Sequence, residues 1–149
     1  MKASSVMVKE VVMIDENSSV KEAVDKMNKA DIGSIIVARN GEPVGIITER
    51  DLLKRIIAQG KNAESTKAKD IMSSPLTFIL PDADLEEVAH LMFKKKIKKL
   101  PVIEGKRIVG LLSLTDIARC QHITKILASL AARKDTPKSI KKVVDYYIV

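Results

Sequence analysis

The feature that most constrains the fold of this chain is an internal duplication. At an offset of 65 residues, residues 6–55 align with residues 71–120 without a gap. Identical pairs in this register include Met7/Met72, Ile14/Ile79, Glu22/Glu87, Met27/Met92, Ile32/Ile97, Val37/Val102, Val44/Val109, Gly45/Gly110 and Asp51/Asp116. Two copies of so long a unit predict two like modules packed about a pseudo-twofold axis, because a solenoid needs more and shorter repeats.

Each copy predicts the element order β-α-β-β-α, which places the chain in the α/β (α+β) class. Short apolar runs at 11–14 and 76–79 predict the first strands, and a helix follows each one. The first helix begins with Ser19 as its cap, and the second begins with Asp84 at the equivalent position. Two strands around a tight turn come next. A second helix is then predicted, with an apolar face formed by Leu52, Leu53, Ile56 and Ile57 in the first copy and by Ile117, Ala118 and Cys120 in the second.

The duplication also predicts the domain boundaries. We expect a first repeat over 1–60, a polar linker over 61–69 and a second repeat over 70–122. The remaining segment, 123–149, has no copy in the first half. It begins with helical spacing, holds both tyrosines and ends in an apolar run that could form a strand, so we expect it to dock on the core or on a partner chain.

Charge divides the two halves of the chain. Up to Phe93 there are 12 basic and 15 acidic residues, whereas from Lys94 onward there are 14 basic and 4 acidic ones. A field of this sign attracts anions such as phosphate ligands, nucleic acid or acidic protein surfaces. A lone cysteine, Cys120, and the lack of a long apolar run predict a cytoplasmic protein without a membrane segment.

A short motif recurs at the end of the third strand in each copy. Glycine, two apolar residues, a hydroxyl residue, two variable residues and aspartate run from Gly45 to Asp51 and again from Gly110 to Asp116. Such a hydroxyl and carboxylate are a common way to begin a helix. They also suit a ribonucleotide, because an aspartate accepts hydrogen bonds from a ribose and a hydroxyl donates to a phosphate.

These motifs and the duplication resemble the CBS-domain family, and the resemblance covers nearly the whole chain. It implies a pair of CBS repeats with nucleotide sites in the cleft between them, and a homodimer of such pairs. The implied ligand is AMP, ADP, ATP or S-adenosylmethionine, and no cofactor is required. The residues that the resemblance and the motifs assign to nucleotide binding are Thr48, Arg50, Asp51, Thr77, Lys99, Leu100, Pro101, Ser113 and Asp116.

The two implied sites differ in their lining. The first repeat has Val12 where the second has Thr77, and Ile36 where the second has Pro101. We therefore expect the site around Ser113 and Asp116 to have the fuller lining. The site around Thr48 and Asp51 has the better phosphate end because of Arg50. The resemblance also implies that the residues just before the strand of Leu100 border the cleft, so that Lys98 or Lys99 could reach a di- or triphosphate.

The sequence thus predicts a nucleotide-sensing module that acts on an effector protein and is not an enzyme. His90 and His122 are isolated, and no Walker or dinucleotide-binding motif is present. Two alternatives remain open. The run Lys94–Lys99 and the basic tail could bind nucleic acid, although few aromatic residues accompany them. The motifs could instead be helix caps of a structural dimerisation module, in which each aspartate contributes about 1 kcal/mol to stability.

Overall fold

A computed structural model describes residues 1–120, so the tail expected at 123–149 lies outside the described residues. The predicted β-α-β-β-α architecture is confirmed, with each copy forming one repeat. The elements of the first repeat are β1 Met13–Asp15, α1 Val20–Ala30, β2 Ser34–Arg39, β3 Glu42–Thr48 and α2 Glu49–Leu52, which continues as a π-helical segment Leu53–Ile57. A short helix, α3 Ala68–Ile71, precedes α4 Leu85–Lys95, β4 Lys99–Glu104, β5 Arg107–Ser113 and α5 Leu114–Arg119.

The long helices begin at the predicted caps. The hydroxyl of Ser19 accepts a hydrogen bond from the Glu22 amide at 3.1 Å, and the Asp84 carboxylate accepts from Glu86 and Glu87 at 3.1 and 3.4 Å. Both helices end on a residue in the left-handed conformation, Asp31 in α1 and Lys96 in α4. Asp31 and Lys96 therefore have the same backbone conformation at equivalent positions of the two repeats, but their side chains carry opposite charges.

The first strand of the second repeat is much shorter than predicted. In the first repeat β1 runs parallel to β2, and the Ile36 amide donates to the Val12 carbonyl at 3.4 Å. In the second repeat the run 76–79 is reduced to a single bridge between Ile79 and Val102. The cause is two prolines, neither of which has an amide hydrogen to donate. Pro101 stands where the first repeat has Ile36, and Pro81 stands where it has Glu16, whose amide donates to the Ala38 carbonyl at 2.9 Å. β4 and β5 pair antiparallel as β2 and β3 do.

Each repeat is completed by the segment that precedes the other one. Near the amino terminus, Ala3 donates to Ala83 and Val8 exchanges hydrogen bonds with Leu111 on β5. In the same way Ser73 exchanges hydrogen bonds with Ile46 on β3. These crossing segments, residues 3–8 and 68–73, tie the two repeats together.

The glycine of each motif accommodates a crossing segment. A Cβ on Gly45 would collide with the sulfur of Met72, and one on Gly110 would collide with the sulfur of Met7. Contacts between protein segments therefore account for both glycines, and close approach of a ligand is not needed to explain them.

Each repeat has its own apolar core. Ile35, Val37 and Ile47 lie in the first, and Leu100, Val102 and Leu112 lie in the second, all nearly fully buried. The predicted apolar face of the second helix of repeat 1 is only half correct. Ile56 is buried and Leu52 is partly buried, whereas Leu53 and Ile57 are 59% and 69% exposed. A residue one position further along a helix points about 100° away, so only one of each neighbouring pair can face the core.

One ion pair ties β2 to the turn after β1. Arg39 Nε lies 2.9 and 3.0 Å from the two oxygens of Glu16, whose side chain is only 12% exposed. This hydrogen bond, with a further contribution from the charge of Arg39, lowers the pKa of Glu16 below its usual value of 4.5.

The ion pair predicts an acid-dependent loss of stability. Because the pKa of Glu16 is lower in the folded than in the unfolded state, its contribution is complete above the usual carboxyl range and is lost as pH falls through the folded pKa. At pH 7 the wild-type protein should have a higher unfolding temperature than Glu16→Gln. The two unfolding temperatures should converge in acid. The exposed pair Lys21–Asp25 offers a control, since Asp25→Asn should change little at either pH. A constant difference between wild type and Glu16→Gln across this range would contradict the prediction.

Candidate functional site

Two clefts lie between the repeats, and the 65-residue offset converts most of the lining of one into that of the other. The first cleft, of about 550 Å³, is lined by the start of α2, by residues 73–77 and by residues 96–101. The second, of about 580 Å³, is lined by the start of α5, by residues 8–12 and by residues 31–36. Each cleft is therefore formed by the motif of one repeat, by residues that follow a crossing segment, and by residues at the start of the second strand of the other repeat.

The predicted binding residues are divided between these clefts. The first cleft is lined by Thr48, Arg50, Thr77, Lys99, Leu100 and Pro101. Ser113 and Asp116 line the second cleft, and Lys99 lines both. Asp51 is among the lining residues of neither.

The expected grouping of these residues was wrong. The fuller lining formed by Thr77 and Pro101 was assigned to the site of Ser113 and Asp116, but both residues lie across the first cleft from Thr48. The physical reason is the crossing of residues 68–73, which carries the start of the second repeat onto β3 of the first.

Both motifs form complete capping boxes, as the helix-cap interpretation predicts. The amide and hydroxyl of Thr48 donate to Asp51 Oδ2 at 2.9 and 3.1 Å. The other oxygen of Asp51 accepts from the Ser73 hydroxyl at 3.0 Å, and Arg55 Nη1 lies 3.9 Å away. Asp51 is only 7% exposed, so both of its carboxylate oxygens are engaged inside the protein.

Asp116 is engaged on one side only. The amide and hydroxyl of Ser113 donate to Asp116 Oδ2 at 2.9 and 2.6 Å. At the 65-residue offset, the equivalents of Ser73 and Arg55 are Val8 and Cys120. Within the described part of the chain, Oδ1 of Asp116 accepts no hydrogen bond, and the residue lines the second cleft. The expected carboxylate for a ribose therefore fits Asp116 better than Asp51.

The two clefts differ in charge at equivalent positions. The charged residues of the first cleft are Glu49, Arg50, Lys96, Lys98 and Lys99, a balance of four cations to one anion. Those of the second are Glu10, Asp31, Lys98, Lys99, Asp116 and Arg119, a balance of three to three. A cleft rich in cations attracts anions, so the lining of the first cleft favours a phosphorylated ligand more than the lining of the second does.

Sequence reasoning missed two residues of this site. Lys96, which ends α4, lines the first cleft, and its equivalent in the second is Asp31. Comparing the copies position by position for charge would have revealed this difference. Ser34 lines both clefts and is 4% exposed, and its hydroxyl oxygen is buried with no hydrogen-bond partner among residues 1–120. No sequence signal distinguishes it from any other serine at the start of a strand.

Residues 1–120 contain neither a metal-binding cluster nor a helix that could cross a membrane. Between residues 1 and 120, no group of three or more His, Cys, Asp or Glu side chains is arranged to hold a metal ion. The helices over this range are too short or too polar to span a bilayer.

Comparisons with known proteins agree with the fold and the duplication. A family model described as CBS domain matches residues 3–58 and 68–122. The chain is 31% identical to the CBS domain-containing protein YhcV of Bacillus subtilis, over 75% of this chain and 79% of that protein. It is 36% identical to the mitochondrial CBS domain-containing protein CBSX3 of Arabidopsis thaliana, over 69% of this chain but only 52% of that protein. A hexameric CBS-CP12 protein from bloom-forming cyanobacteria superimposes with a TM-score of 0.76 at 26% identity, covering 98% of this chain and 77% of that one.

Proposed function

The chain belongs to the CBS-domain family as a tandem pair of repeats, and from this premise we propose that it is a regulatory module and not an enzyme. In this proposal the first cleft binds an adenine nucleotide, and its occupancy is passed to an effector protein. The observation that carries the proposal is the cluster of cations, Arg50, Lys96, Lys98 and Lys99, around a cleft of about 550 Å³. That volume lies within the range of small-molecule sites.

The lining suggests how a nucleotide would lie in the first cleft. The partly buried side chains of Leu76 and Ile97 supply apolar surface for the base, and the partly buried Thr77 adds a hydroxyl. The side chains of Leu100 and Pro101 are fully buried behind this lining. Arg50 and Lys96 supply charge for the phosphates. S-adenosylmethionine carries no phosphate, so the cluster of cations favours AMP, ADP or ATP over it.

Signalling would follow from the position of the cleft between repeats. Arg50 belongs to the first repeat, whereas Lys96 and Leu100 belong to the second. A ligand that contacts both repeats stabilises the arrangement in which both can reach it, and it shifts the population by its difference in affinity for the two arrangements. The effector would then read the relative position of the repeats.

Calorimetric titration of the purified protein, freed of bound small molecules, tests this function. ADP and ATP should bind, and adenosine should bind more weakly because it lacks phosphate. Arg50→Ala should weaken ADP binding about tenfold, since a charge-assisted hydrogen bond contributes about 1.5–3 kcal/mol. Lys106→Ala is the matched control, because Lys106 has the same charge and an 83% exposed side chain outside both clefts.

Other outcomes would favour the alternatives. Equal weakening by Lys106→Ala would mean that overall charge, not the cleft, governs binding. Retention of DNA or RNA that falls steeply with salt, without nucleotide binding, would favour a basic nucleic-acid-binding protein. Binding of none of these ligands would favour a structural dimerisation module.

We further propose that the protein acts as a homodimer in the cytoplasm. Leu53 and Ile57 lie one turn apart on the π-helical segment after α2, and both are more than half exposed. A second copy of the chain is the occupant that the family resemblance suggests for such a face. The mass of the protein in solution tests this, and the single cysteine supports the location.

A further inference from the structure

Three residues line both clefts. Ser34 is the first residue of β2, Lys99 is the first residue of β4, and Lys98 precedes it. Ser34 and Lys99 are equivalent at the 65-residue offset, so they lie where the two halves of the molecule meet. The sheet register places Ser34 opposite Thr48 and Lys99 opposite Ser113. Ser34 and Lys99 therefore each adjoin the hydroxyl residue of one motif.

We propose that Ser34, Lys98 and Lys99 form one phosphate subsite shared by the two clefts. A phosphorylated nucleotide bound in either cleft then excludes a second one from the other. This inference rests on the proposed function, because it assumes that the clefts bind nucleotides. It adds that the chain holds one phosphorylated nucleotide at a time although it has two clefts.

The hydroxyl of Ser34 is the first observation that supports the subsite. Its oxygen is fully buried and has no hydrogen-bond partner within residues 1–120. A buried polar group without a partner destabilises a protein, so such a group is rare unless a ligand or water completes it. Rotation about the Cα–Cβ bond of Ser34 would turn this hydroxyl from its buried position toward the clefts that the residue lines. A phosphate oxygen next to Lys98 and Lys99 would then accept its hydrogen bond.

The charge of the second cleft is the next observation. If the shared lysines are set aside, its charged residues are Glu10, Asp31, Asp116 and Arg119, a net negative group. A phosphate in the second cleft therefore depends on Lys98 and Lys99. When a phosphate in the first cleft already neutralises these lysines, a second phosphate would meet the repulsion of the first anion and of the carboxylates.

Stoichiometry with and without phosphate tests the proposal. In calorimetric titrations the wild-type protein should bind one ADP but two adenosine molecules per chain, since adenosine has no phosphate to compete for the subsite. Thr77→Trp should fill the first cleft, and Val12→Trp should fill the second at the equivalent position. Each variant should still bind one ADP and should bind one adenosine.

A variant of Ser34 gives a readout that does not depend on the tryptophan variants. Ser34→Ala removes a buried hydroxyl without breaking a hydrogen bond in the described chain, so the unfolding temperature should stay the same or rise. ADP affinity should nevertheless fall about tenfold while adenosine affinity is unchanged. Unchanged ADP affinity in Ser34→Ala would remove the hydroxyl from the subsite and overturn the proposal.

The failures of the two proposals are distinguishable. Two ADP molecules per chain with similar affinity would overturn the shared subsite but leave nucleotide binding intact. A Thr77→Trp protein that folds and binds adenosine but no ADP would also overturn sharing, because the second cleft would then hold no phosphate even when the first is closed. Binding of neither adenosine nor ADP to wild type would overturn both proposals.

Discussion

Replacing Asp51 by alanine is expected to lower the free energy of unfolding by about 3 kcal/mol, against about 1 kcal/mol for the equivalent Asp116→Ala. Both changes remove a helix cap. Asp51 in addition accepts a hydrogen bond from Ser73 in a crossing segment and lies 3.9 Å from Arg55. Its loss leaves the partly buried Ser73 hydroxyl without its acceptor, and leaving such a group unpaired costs about 1–3 kcal/mol. Arg55 keeps its hydrogen bonds to the carbonyls of Ile71 and Met72.

Chemical denaturation of the two variants measures this difference. Asp116→Ala is the matched control, because it removes the same residue type from the same capping box in the other repeat. Ser73→Ala on its own should lower the free energy of unfolding by part of the difference between Asp51→Ala and Asp116→Ala. It removes the hydroxyl that donates to Asp51 but leaves the carboxylate in its capping box. Equal losses for Asp51→Ala and Asp116→Ala would show that Asp51 acts as a cap alone.

The double variant Arg50→Thr, Lys96→Asp should lower the ADP affinity of the first cleft about a hundredfold. These are the residues that the chain itself places at the equivalent positions of the second cleft, Thr115 and Asp31. The variant removes three units of positive charge, each contributing about 1 kcal/mol to the attraction of a phosphate at 4 Å in a well-solvated site. The fold should be unaffected, because Asp31 already adopts the left-handed conformation that Lys96 has.

The affinity is best measured by titration in a Val12→Trp background, which closes the second cleft and isolates the first. Adenosine serves as the control ligand, because its affinity should change little when only phosphate contacts are removed. Loss of adenosine binding in parallel with ADP would mean that the substitutions disturb the shape of the cleft. An unchanged ADP affinity would mean that the cation cluster does not contact the phosphates.

Much of the fold was predictable because it depends on local patterns. Apolar spacing predicted the helices and strands, and Ser19 and Asp84 cap the helices as expected. The motifs of Thr48 and Ser113 begin helices in both copies. The shortened first strand of the second repeat was not predicted, although Pro81 and Pro101 carry the signal in their missing amide hydrogens.

All the predicted binding residues except Asp51 line at least one of the two clefts, but their grouping was not predicted. Apolar character alone could not tell exposed Ile57 from buried Ile56, since that depends on which side of a helix meets the core. Nor could it show that Thr77 faces the motif of the other repeat. Such pairings depend on the path of the crossing segments, which connect residues far apart in sequence.

The duplicated β-α-β-β-α unit with one motif in each copy can be recognised from the sequence, because duplication, periodicity and capping are local properties of the chain. The three-dimensional structure was needed to show how the copies share their residues. It places Ser34 and Lys99 in both clefts and withdraws Asp51 from both. The physical reason is that a pseudo-twofold axis brings equivalent residues together at the centre, and a linear sequence does not reveal which residues lie there.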